Sequence, residues 1–388
     1  MERIPNGRYT KEFREEAVKM VTEGDTVIHH QLFDRRVFRT LRLIMFVQRS
    51  LHLKGGGIMK KVSAVAFCLV FALCLATAGH AQGVKLVFST MFPKSYTYIV
   101  NPSLDFCKKV ETRSGGRVKF DTYHSAQLFG GKEEFAAVGR GTIDVGIPHD
   151  IYHTGEVPEL GITSLPFLYE DVDQAQRILR AGLKEMIRPK IEKANNCVLL
   201  GWAVFDPYQF YSKKPISTIE DIKGRIWGVS GTTHTKAIEV LGGSPTLMES
   251  GEVYLALQTG TIDGTTRPLL TGVGRKLNEA AKYLTLASFS PWGDILIVNR
   301  DKWNKIPADV QEIMRQAGRE WEEQSSVLSR EYVQTAVKKL TDGGMIATKM
   351  PSAELAKFRK AMGPVYKWWL EKEVPDGQKY LDFVEKNR

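Results

Sequence analysis

From Val84 onward, short apolar runs alternate with longer stretches whose apolar residues recur at helical spacing. Lys85 to Ser89 reads as a buried strand, and a loop carrying Met91, Phe92, Pro93, Tyr96 and Tyr98 follows it. A helix is expected from Pro102 to Thr112, ending at Gly115-Gly116, a pair suited to a left-handed cap. Val118 to Tyr123 then alternates as a second strand, so the opening is β-α-β. A Gly130-Gly131 turn leads into a helix from Lys132 to Gly139, and helices over Val172–Ala181 and Leu183–Ala194 precede a strand over Val198–Trp202. Further strands are expected at Arg225–Val229 and Ile295–Val298. Pro307-Ala308-Asp309 opens a helical pattern that runs to Thr341. A helix of roughly thirty residues spans about 45 Å, longer than one lobe, and is expected to cross two. The closing pattern, Ala353 to Glu371, puts Trp368 and Trp369 on a packing face.

The tetrapeptide Gly-Thr-Ile-Asp occurs twice, at Gly141–Asp144 and at Gly260–Asp263, each time after an amphipathic helix. In both places Gly stops the helix, Ile enters a buried strand and Asp is left at its edge. A spacing of 119 residues is too long for a solenoid repeat and implies two lobes built on one plan. The second copy closes a stretch, Pro215 to Gly272, that reads as one wall of a ligand cleft.

Ahead of the first strand, residues 59–81 have the form of a cleavable secretory signal: Lys60 and Lys61, an apolar run from Val62 to Ala76, and small residues at Gly79 and Ala81. The apolar run is short for a membrane span, and cleavage is expected before Gln82. Residues 8–24 resemble the opening of the helix-turn-helix segment of insertion-sequence transposases, but no second helix follows. Because a signal must lead its chain, Met59 is the expected start, with Lys54 to Gly57 a ribosome-binding site read as codons and residues 1–58 a spurious or disordered extension.

That division changes the charge picture. The whole chain carries +10, which hints at nucleic acid, but removing residues 1–81 leaves about +4, too little to argue for it. Of the four cysteines, Cys68 and Cys74 leave with the signal, and Cys107 and Cys197 remain, enough for one disulfide at most. No Gly-x-Ser-x-Gly elbow, metal-ligand set or paired carboxylates point to catalysis. His149 and His153, four apart, lack a third ligand, so neither a metal nor a cofactor is expected. Gly228 to Thr233 fails the dinucleotide spacing and reads instead as backbone N–H groups and hydroxyls at a helix start, suited to an anion.

Pro215-Ile216 with Asp221-Ile222-Lys223-Gly224, the block Gly251-Glu252-Val253-Tyr254-Leu255-Ala256-Leu257-Gln258-Thr259-Gly260, and Asp263-Gly264 closely resemble the substrate-binding proteins of TRAP transporters. Gln127-Leu128 with Gly130-Gly131, Leu165-Pro166-Phe167-Leu168 and Lys282-Tyr283-Leu284-Thr285 resemble the same family in the same order, from about Val84 to Lys338. The resemblance implies an α/β, two-lobed periplasmic-binding-protein-like fold with crossing strands and a long lobe-spanning helix. Lobe I would comprise residues 82–206 plus 294–333, and lobe II residues 207–293 plus 334–388. It implies a non-enzymatic, monomeric periplasmic receptor that delivers a small organic anion to the small and large membrane subunits of a permease. A sensor presenting its ligand to a signalling partner is the alternative.

The family's usual clamp arginine, at the end of the strand after Asp-Leu-Lys-Gly, aligns with Gly228, and a second often-found arginine aligns with Tyr208. Arg267 stands where the family pattern carries Asn in a ligand-facing position, so the resemblance implies a relocated carboxylate clamp there. Trp202, Trp227 and Trp292 fall near strand ends around the implied cleft, and His149 near a site-lining position. Tyr96 and Gln209 complete the candidate set, which together suits an apolar or aromatic ligand body with one acidic end.

Overall fold

The computed structural model describes residues 83–388. The expected signal at residues 59–81 and the extension at residues 1–58 lie outside the described residues.

The first sheet has the order β2-β1-β3-β10-β4. Strand β1 (Val84–Ser89) pairs in parallel with β2 (Val118–Tyr123) and β3 (Val145–Gly146), while β10 (Trp292–Asn299) and β4 (Cys197–Phe205) run antiparallel to each other. Every residue of β4 and β10 is buried, as expected of strands covered on both faces, although β4 stands at the sheet's edge. The second sheet has the order β11-β9-β5-β8-β6-β7, with β7 at Ser244–Leu247 and β11 at Ile346–Lys349 on its two edges. Its core is the parallel pair β6 (Ile226–Val229) and β8 (Gly264–Pro268), with β5 (Tyr208–Ser212) antiparallel to β8.

The repeated tetrapeptide performs the same job in each sheet. Gly141 and Gly260 both adopt positive φ, 71° and 80°, where a side chain would be strained, and Ile143 and Ile262 are fully buried. Asp144 Oδ2 accepts from Val87 N at 2.8 Å, and Asp263 Oδ2 accepts from Ile226 N at 2.9 Å. In each lobe the carboxylate therefore pins the next strand, β3 or β8, in parallel beside its neighbour, β1 or β6.

Two strands cross between the lobes. Only Asp206-Pro207 separates β4 from β5, and the segment 287–291 joins β9 (Tyr283–Leu286) to β10. The two crossings are tied together: Tyr208 N donates to Ser290 O at 2.7 Å and Phe289 N to Tyr208 O at 2.9 Å. Helix α9 (Ala308–Asp342, 35 residues) is the third link, with Trp321 in the first lobe's core and Ala336 and Leu340 in the second's. It sits close on β4 because the facing residues are glycines: a Cβ on Gly318 would lie 2.7 Å from Leu200 O, and one on Gly201 3.0 Å from the Trp321 ring. Where a bulge breaks the β4–β10 register, Glu322 of α9 accepts from Trp202 N at 2.6 Å and pairs with Lys184.

Cys107 and Cys197 are both buried and unpaired. In the terminal segment, Phe358 stacks on Phe167, Phe210 and Phe289, and Trp369 Nε1 donates to Pro158 O at 3.3 Å, so this segment touches both lobes.

Candidate ligand-binding site

The two strands that follow the repeated tetrapeptide end opposite one another. Arg267 lies on β8, and His149 follows β3 and bridges to Asp294 of β10. The carboxyl ends of parallel strands are where open α/β sheets bind ligands, because loops and helix starts leave a crevice there. A small cavity occupies this crevice, bounded on one side by Met91, Phe92, His149, Tyr152 and Trp292 and on the other by Tyr208, Ser230, Ser250, Arg267 and Thr271.

Arg267 is only 1% exposed. Its Nη1 donates to Ser230 Oγ at 2.7 Å and Thr266 O at 2.8 Å, and its Nη2 donates to Met248 O at 2.9 Å. The Nε has no partner, and among the described residues no carboxylate lies within ion-pairing distance of this guanidinium. A buried, permanently charged fork held only by neutral acceptors is costly, since its interior charge has no counter-charge.

Facing it, His149 is held as the neutral ring. Its Nδ1 donates to Gly293 O at 2.9 Å, and its Nε2, 3.1 Å from Tyr208 Oη, accepts the phenol proton. Burial pushes its pKa down to about 3, with the Arg267 charge acting the same way. Behind the ring, Asp294 Oδ1 stands 3.3 Å from Nδ1; burial first, then the charges of Asp150 and Glu134, hold that carboxyl well above the usual range. The His149 ring meets Trp292 edge-on at 4.8 Å and Tyr152 at 4.6 Å.

Of the residues expected from sequence, Arg267, Tyr208, His149 and Trp292 meet at this cavity. Tyr96 stands one layer back, its hydroxyl donating to Thr271 Oγ1 at 3.3 Å. Three others are placed elsewhere. Trp227 packs on Phe210 and donates to Ile222 O at 3.1 Å in the second lobe's core. Trp202 donates to Asp150 Oδ2 at 3.1 Å in the first lobe. Gln209 spends its amide on the crossing strands, accepting from Ala287 N at 2.8 Å and Ser288 N at 2.9 Å. The Gly228–Thr233 helix start is not an open anion cradle either: Thr232 bonds Thr154 and Thr233 bonds Ser164 across the lobes, leaving only Ser230 on the cavity. A Cβ on Gly228 would face Met248 at 2.9 Å and Ile262 at 3.0 Å, so that position opens toward the core. Phe92, Tyr152, Ser250 and Thr271 line the site without having been singled out. Phe92 and Tyr152 sit in aromatic-bearing loops visible in the sequence, whereas nothing marks Ser250 or Thr271.

The lobes are in contact around the cavity. Glu249 of the second lobe accepts from Gly131 N at 3.1 Å and Lys132 N at 3.0 Å, at the start of helix α2 (Gly131–Gly139), and Tyr152 accepts from Ser250 N at 2.8 Å. The geometry is that of a two-lobed receptor closed on its crevice. Among the described residues no cluster of His, Cys, Asp or Glu is arranged to hold a metal ion.

Residues 88–373 match the model of bacterial extracellular solute-binding protein, family 7, the DctP family. This chain belongs to that family. The solute-binding protein is 25% identical over 310 residues to the C4-dicarboxylate-binding periplasmic protein DctP of Rhodobacter capsulatus, covering 79% of this chain and 92% of the relative. It is also 25% identical over 311 residues to the sialic acid-binding periplasmic protein SiaP of Vibrio cholerae, covering 79% and 88%. Among solved structures, the TRAP periplasmic solute-binding protein of Ralstonia eutropha with bound (S)-2-acetolactate superposes with a TM-score of 0.72 at 25% identity, covering 78% of this chain and 99% of that one. The two-lobed α/β architecture and the receptor class expected from sequence are thereby both met, and the family is one of solute-binding receptors and not of enzymes.

Proposed function

We propose that this TRAP solute-binding protein captures a small organic carboxylate between its lobes, with Arg267 as the clamp, and delivers it to the small and large membrane subunits of a permease. The buried Arg267 guanidinium, without a carboxylate partner among the described residues and on the interlobe cavity, carries the reading. The relatives named above bind a dicarboxylate, a sialic acid and a hydroxy-oxo acid, which supports a carboxylate. His149 stands on the far wall, bonded to Tyr208 beside Arg267, and Trp292 supplies an apolar face. The protein acts as a monomer, closing by hinge motion about the two crossing strands and α9. Roughly micromolar affinity, about −8 kcal/mol, suits capture followed by release.

A thermal-shift screen of carboxylates finds the ligand, because a ligand that binds only the folded state raises Tm by mass action. Calorimetry then compares the protein with Arg267→Ala, for which a loss on the order of 3 kcal/mol is expected. Unchanged affinity would remove Arg267 from the site. The homologues are periplasmic, and export of this protein through the signal at residues 59–81 is tested by mass spectrometry of the native product. A mature N-terminus at Gln82 is expected, and any peptide from residues 1–58 overturns the start at Met59.

A further inference from the structure

Resting on the reading that Arg267 holds a carboxylate, we infer that the site takes a small monocarboxylate with an uncharged remainder and discriminates against dicarboxylates. Among the described residues, Arg267 is the one charged side chain on the cavity wall. The neighbouring guanidinium, Arg275, is stacked over the Tyr96 ring at 5.7 Å and is not part of the lining.

The opposite wall offers a second carboxylate nothing to pair with. His149 is fixed as a neutral ring by the Gly293 carbonyl on Nδ1 and the Tyr208 hydroxyl on Nε2, and Asp294, with both carboxyl oxygens unpartnered, stands 3.3 Å behind it. The rest of that wall is Met91 with Phe92, Tyr152 and Trp292, the three rings packed edge to face around His149. A second anion buried there would meet aromatic edges and a carboxyl, with no cation.

Hydrogen-bonding capacity points the same way. Ser230 Oγ accepts from Arg267 and the Tyr152 oxygen accepts from Ser250 N, so the hydroxyl hydrogens of both remain free to donate. They can complete the carboxylate or one carbonyl oxygen beside it.

The test is calorimetry and thermal shift on the mature protein at pH 7.5 with butanoate, 2-oxobutanoate, benzoate, succinamate and succinate. Succinamate and succinate have nearly the same shape and differ by one charge. At least one monocarboxylate is expected to bind, and succinamate at least ~30-fold more tightly than succinate, the factor that leaving a buried charge unpaired implies. Arg267→Met should abolish binding of every active compound, and Arg267→Lys, which keeps the charge inside should the Met variant fail to fold, should weaken it at least about tenfold through loss of the fork. Succinate binding as tightly as succinamate, or binding with uptake of a proton that makes His149 a second cation, overturns the inference. If that binding still depends on Arg267, the clamp itself stands. No binding by any monocarboxylate also overturns the inference, and binding indifferent to both Arg267 variants overturns the clamp.

Discussion

At the scale of single residues, the decisive contrast is between two buried aromatics of the same kind. Trp292 meets His149 on the cavity wall, whereas Trp227 fills the second lobe's core and bonds Ile222 O. Trp227→Phe is expected to lower unfolding stability by about 1–3 kcal/mol, through a lost hydrogen bond and a small cavity, while ligand affinity stays within about twofold. Trp292→Ala should weaken ligand binding and also lower stability by about 3–5 kcal/mol, because this buried ring packs on Phe205 and bonds Asp206, so the change in affinity read by calorimetry is what separates the two. Arg267 was legible in the sequence because a charged fork replaces a neutral family residue beside an Asp-Gly motif. The different duties of Trp227, Trp202 and Gln209 were not, since a strand's alternation says which face a side chain takes and not what stands across from it.

At the scale of elements, closure is written in a contact between a carboxylate and a helix start. Glu249 precedes the helix α6 (Val253–Thr259) of the second lobe and accepts two backbone N–H groups at the N-terminus of α2 in the first. That end carries unpaired donors and partial positive charge, so a carboxylate there is favourable. The half-exposed Glu249 is screened by solvent, and Glu249→Ala should destabilise the closed form by about 1 kcal/mol. Stopped-flow measurement should show ligand leaving about five- to tenfold faster with little change in Tm, and an unchanged off-rate would show that the contact does not hold the lobes together. Helix α9 was expected near its observed limits, whereas β4 and β10, expected over Val198–Trp202 and Ile295–Val298, extend to Cys197–Phe205 and Trp292–Asn299. The cross-lobe bonds of Glu249, Thr232 and Thr233 involve residues that local pattern leaves free to face solvent.

At the scale of the whole molecule, the interior of the first lobe concentrates acid groups whose ionisation opposes folding. Burial raises Glu134 to about 8 and Asp150 to about 7, and it holds Asp294 well above the usual range. The unfolded chain ionises these carboxyls near pH 4, whereas the folded protein keeps their protons until pH 7–8, so unfolding releases protons in between. The stability they allow is complete below the unfolded pKa and is lost as pH rises through the folded values. The buried His149 and His234, both pushed down to about 3, add stability as the unfolded chain's imidazoles lose their protons around pH 6.5, and above about pH 7.5 they are neutral in both states and no longer offset this. Tm of the ligand-free protein should therefore fall by several degrees between about pH 6.5 and 8.5, and a flat or rising profile in a thermal scan would contradict the assignment. The sequence by itself determined the lobes, because hydrophobic period, helix stops and the twice-used Gly-Thr-Ile-Asp are local and act through each strand's immediate neighbours. Only the tertiary structure decided that the two copies of that motif aim His149 and Arg267 at one cavity. Which atoms share a desolvated space depends on contacts between residues more than a hundred positions apart, and no periodicity along the chain encodes them.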